Sequence, residues 1–131
     1  MRNLLLSIGV GALCATPALS SGGIYCDGVS DPSVSVHLTV GRVPGFPVVG
    51  ATITAGDKAW GLPALEGREP VEFAQGAITG DFVIADFTDA GFEAIVASLR
   101  LAQADTGAGA VAAGILSIPG VGAWPVVCEI D

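Results

Sequence analysis

Few side chains in this chain could perform chemistry, and their spacing decides against most of it. There is one histidine, His37. It sits in S-V-H-L-T, alternating with Ser35 and Thr39, a pattern that points it to solvent beside small polar groups. Nucleophilic catalysis needs a nucleophile beside a base, and no serine lies in a Gly-x-Ser-x-Gly elbow. The acids Asp81, Asp86 and Asp89 lack the alternating ligand spacing of a calcium loop. No His-x-x-x-His pair occurs, and G-A-G-A-V-A-A-G carries no Lys-Ser/Thr after its glycines. The expectation is no catalytic residue, no metal site and no cofactor.

Carboxylates are the one plentiful reactive group, with 13 Asp and Glu. A glycosidase needs only two of them at the right separation, but the sequence singles out no pair. Sugar sites also use stacking aromatics, for which Trp60, Trp124 and Tyr25 are candidates. Trp60 directly precedes a Gly/Pro-rich stretch, G-L-P-A-L-E-G-R-E-P, and is expected to be partly exposed. With Glu66, Arg68 and Glu69 it forms the candidate binding surface.

Two cysteines, Cys26 and Cys128, lie near opposite ends of the segment that follows an export signal. The chain opens M-R-N-L-L-L-S-I-G-V-G-A-L-C-A-T-P-A-L-S: a positive start, an apolar run of about a dozen residues, a proline, then small residues. That layout predicts a signal peptide over residues 1–20, cleaved near Ser20 and discarded with Cys14. It leaves one domain over residues 21–131, periplasmic or extracellular. In an oxidising compartment, Cys26 and Cys128 are expected to form a disulfide. No later apolar run is long enough to cross a membrane as a helix, so no membrane insertion is expected after cleavage.

Without Arg2 the basic residues are Arg42, Lys58, Arg68 and Arg100, four against 13 acids, a net charge of −9. Such a surface repels phosphate backbones and anionic lipids. No nucleic-acid partner is expected on that ground. The partner is expected to be an unidentified protein or small ligand, and the sequence leaves the oligomeric state open.

The elements that must position these groups read as β-strands. Residues 33–40 alternate Val34, Val36, Leu38 and Val40 against Ser, His and Thr, the period of a half-buried strand. Residues 48–55 alternate again, with Val49, Ala51, Ile53 and Ala55 assigned to one face. Further strands are expected over 71–78 and 81–87, then 113–118 and 121–130 around Pro119-Gly120. Pro125 predicts an edge or a bulge in the last of these. Residues 90–97 are assigned a short helix, because Phe92, Ile95 and Val96 fall on one helical face behind Thr88 or Asp89 as a cap, with a single helix to Ala104 as the alternative. A strand over 98–103 follows. The sum is a mainly β fold: a small antiparallel sandwich or barrel of about seven to eight strands. The disulfide would fasten the first strand to the last and close the seam of the sheet.

These features predict an exported, non-catalytic binding or envelope structural domain. In outline, a small acidic disulfide-stapled β domain resembles the periplasmic lysozyme inhibitors of bacteria. Their Ser-Gly-x-x-Tyr motif is matched in letters by Ser21-Gly22-Gly23-Ile24-Tyr25. In this chain those residues run into the first strand rather than forming a loop. The resemblance implies, as an alternative, inhibition of a basic secreted enzyme such as lysozyme. A carboxylate-based carbohydrate-active enzyme is the second alternative.

Overall fold

A computed structural model describes residues 22–131. The expected signal segment, with Cys14 and the cleavage site near Ser20, lies outside the described residues. The described chain forms ten strands: β1 (Gly22–Gly28), β2 (Ser35–Val40), β3 (Val48–Ala55), β4 (Lys58–Leu62), β5 (Glu69–Pro70), β6 (Glu72–Thr79), β7 (Phe82–Thr88), β8 (Ile95–Asp105), β9 (Ala110–Ile118) and β10 (Gly122–Ile130). They make one sheet in the order β5-β4-β3-β2-β1-β10-β9-β8-β7-β6. All neighbours are antiparallel except the short β4–β5 pair. The sheet curls until β3 meets β6, giving a nearly closed barrel.

Spatial order follows chain order from each end. β1 to β5 make one half of the barrel and β6 to β10 the other. The halves join twice, through the β1–β10 ladder and across the seam between β3/β4 and β6. Period-two alternation drives this architecture. It turns Ile24, Leu38, Ile53, Phe87, Leu99 and Leu116 inward, where all are fully buried. At about 25 cal/mol per Å² of apolar surface removed from water, such burial is the main force holding the barrel together.

Cys26 and Cys128 are direct partners in the β1–β10 register. Their Cα atoms lie 4.0 Å apart, and the disulfide joins them on the barrel's inner side. Its expected seam, however, is elsewhere. β1 and β10 are central in the sheet, and the open seam falls between β5 and β6. There Val71 N–H donates to the Gly61 carbonyl at 3.1 Å. Phe46, from the loop after β2, packs its ring 6.3 Å from that of Phe73, which in turn lies 5.9 Å from Phe87. Gly76 makes room for this: a Cβ there would come within 2.6 Å of the Phe46 ring.

Several expectations are corrected. The strands number ten, because 58–62 and 69–70 contribute two short ones inside what reads as turn and loop. The described residues hold no helix. Residues 90–94 form a loop, in which Phe92 has φ 55° and breaks any helix. β8 then starts at Ile95, with Ala97, Leu99 and Leu101 buried and Arg100 exposed. Alternation from Ala97 to Ala102 outweighed the local helical face. Val49 is exposed, not on the face of Ala51 and Ile53, because the register slips between Thr39 and Val40 and leaves it bulged.

Pro125 does not mark an edge, since β10 runs between β1 and β9. The Val29 N–H donates to the Pro125 carbonyl at 2.9 Å. The polar backbone positions of Pro125 therefore face beyond the end of β1, and no β9 ladder bond is lost to the missing N–H.

Candidate functional site

The residues expected to form a binding surface lie on and between β4 and β5, but they do not share one exposed face. Trp60 is only 4% exposed and pairs with Ile53 inside the core. This corrects its expected partial exposure. The strand that carries it starts right after the Gly56-Asp57 turn, and the alternation of β4 sends the indole inward. Glu66 and Glu69 are exposed. Arg68 is half-buried, donates from Nη1 to Thr52 Oγ1 at 3.3 Å and lies over Gly61. Glu69 is the register partner of Trp60 on β5, so the two backbones stay adjacent while the indole is buried and the carboxylate is exposed.

Tyr25 and His37 face outward on neighbouring strands, their rings 5.4 Å apart and edge-on. Gly22 to Tyr25 form part of β1, paired with β2 on one side and β10 on the other. Ser21 lies outside the described residues. Trp124 is half-buried against the core.

Asp86 is the charged group that sequence reasoning placed least well. It lies on the outer side of β7, yet is only 2% exposed. Arg100 on β8 clamps it with two donors, Nη1 to Oδ1 at 2.8 Å and Nη2 to Oδ2 at 3.1 Å, and Gln75 Nε2 donates to Oδ2 at 2.6 Å. Burial alone would raise its pKa. The hydrogen bonds from Arg100, Gln75 and Ser98, with the Arg100 charge, outweigh that and hold the carboxyl below the usual range. Asp89 instead accepts from the Glu93 N–H at 2.8 Å, a turn role. Asp31 is held below the ordinary carboxylate range by the Ser33 hydroxyl and amide. Among the described residues, no three His, Cys, Asp or Glu side chains gather as metal ligands would.

Two open depressions lie at the end of the barrel where the described chain begins and ends. One, of about 560 Å³, runs from Asp81 and Gln103 to Cys128 and Ile130. The other, of about 330 Å³, lies beside Gly22, Arg42 and Asp131 and shares Ile130. Neither holds a nucleophile beside a base.

The outer face differs between the halves. On β2 and β3 it presents Ser35, His37, Thr39, Thr52 and Thr54, with Val49 the exposed aliphatic side chain of those two strands. The Ser35 and Thr54 hydroxyls hydrogen-bond at 2.6 Å. On β7 to β10 it presents Phe82 at 60% exposure, Val111 at 67%, Ile115 at 52% and Val127 at 51%. The register sets Phe82 and Val127 at the two ends of one row with two alanines between them. Phe82 pairs with Ala102, Ala102 with Ala113, and Ala113 with Val127. One row away, Ile115 lies between Arg100 and Pro125. Sequence reasoning missed this surface because A-V-A-A-G-I-L-S-I is apolar on both faces of the strand.

No protein-family description matches the chain, and neither a curated protein nor a solved structure is significantly similar to it.

Proposed function

We propose that this protein is exported and acts as a non-catalytic binding or structural domain of the cell envelope. The observation that carries the reading is the use of the barrel interior. Packed side chains and a disulfide fill it, so a partner meets the molecule from outside. The leader-like first residues and the paired cysteines support export. Two measurements test the reading on the natural product. Its mass should correspond to loss of the first ~20 residues, with both remaining cysteines resisting alkylation until reductant is added. Incubation of the oxidised protein with purified peptidoglycan and soluble glycans should leave every polymer unchanged in mass. Retention of Met1, or cleavage of any of these polymers, overturns the reading.

A second reading, inhibition of a basic secreted enzyme such as lysozyme, is favoured by the excess of acids. Titration against a C-type lysozyme decides it: unchanged lysis of cell walls at excess protein ends it.

A further inference from the structure

Charge divides the barrel along the same line as its outer face. Residues 22–70 hold five acids and three bases, while residues 71–131 hold eight acids and one base. That single base, Arg100, is engaged with Asp86. Both halves expose some apolar side chains, Val43 and Val49 in the first among them, but the half whose strands set them in a register row, β7 to β10, is also the strongly acidic half. Acids border the apolar rows: Glu129 lies two residues beyond Val127 on β10, Asp81 precedes Phe82, and Asp27, on β1 of the other half, pairs with Val127.

From this coincidence we infer that the outer face of β7 to β10 recognises a cationic amphipathic polypeptide, one that presents apolar side chains among lysines or arginines. The inference rests on the reading of the protein as a binding domain and gives that domain its surface. Exposed apolar side chains in register form a patch that excludes water on contact. The acid border attracts a basic partner and orients it. The same border disfavours the other occupants. A second copy would bring two acidic halves face to face, and an anionic bilayer or a nucleic acid would meet like charge.

The test uses the full oxidised chain as released by an exporting host, with two synthetic peptides as probes. One is an amphipathic leucine–lysine helix. The other is a serine–lysine peptide of equal length and charge. Calorimetry should show the leucine–lysine peptide binding at least tenfold more tightly, with affinity falling as salt rises. The double substitution I115T/V127T should weaken that binding about tenfold, and H37Q on the polar face should leave it unchanged. Threonine suits a strand, and an unchanged melting curve verifies that the variant is folded.

Equal binding of the two peptides, binding of neither, or full binding by I115T/V127T overturns the inference. So does concentration-dependent dimerisation lost in I115T/V127T, or capture on phosphatidylglycerol vesicles in place of the peptide. Failure here leaves the broader binding reading intact if wall polymers stay uncleaved, whereas their cleavage removes that reading whatever the peptides do.

Discussion

The two halves of the barrel face inward alike and outward differently. Leu38 and Ile53 in one half and Leu99 and Leu116 in the other fill the interior by the same alternation. Outside, the strands of one half carry mostly hydroxyls and His37, with Tyr25 and Val49 among them, while those of the other carry Phe82, Val111, Ile115 and Val127. Folding requires the inner set, because burial of apolar surface opposes the entropy of the chain. It does not require the outer apolar set, whose members remain largely in water. A feature that folding does not explain is a candidate for function, and the acids of the same half give it a chemistry.

If the halves are one cooperative unit, the strongest link between them is the Cys26–Cys128 bond, which closes a loop with a sequence separation of 102. Replacing both cysteines with alanine should cost about 4–5 kcal/mol by loop entropy. Urea denaturation would measure it; a loss below ~1 kcal/mol would mean that the β1–β10 ladder holds the halves unaided.

The second link is aromatic. Phe46 leaves the first half to pack beside Phe73 and over Gly76 in the second. Phe46→Ala should cost about 3 kcal/mol, with faster amide exchange along β6 than along β10. Uniform exchange in both strands would show that the seam contributes nothing special.

A smaller effect belongs to the acidic half alone. Asp86→Asn removes the charge that Arg100 and Gln75 surround and should cost about 1 kcal/mol, since Arg100 is half exposed and its pairing is screened. The folded-state pKa of Asp86 lies below its unfolded value. Its contribution is therefore complete above the unfolded carboxylate pKa, about pH 4, and is lost as pH falls through the lower folded value. Thermal melts from neutral to acid pH should show the wild type losing that increment while Asp86→Asn does not. Parallel curves would dismiss the pair as a source of stability.

The smallest effect is the most telling for the comparison. I115T and V127T should each change stability by no more than about 0.5 kcal/mol, because both side chains are already half exposed. A loss of several kcal/mol would place them among the folding residues and erase the contrast between the two outer faces.

The sequence by itself determined the strand character of most segments, the inward set of β2 and much of β3, the hairpins at Gly80 and Gly120, and the choice of Cys26 and Cys128 as partners. These follow from local alternation, turn chemistry and cysteine arithmetic. Only the tertiary structure decided the remainder. It buried Trp60, set Asp86 opposite Arg100 and Gln75, and moved the seam from the disulfide to the line between β5 and β6. It also turned residues 90–97 from a helix into a loop and the start of β8. Each depends on which strand lies beside which, and strand register is long-range information that no window of sequence contains. The outward apolar face is the clearest case. Ile115 and Leu116 are adjacent and both aliphatic, and only packing against the barrel interior selects Leu116 to be buried and leaves Ile115 in water.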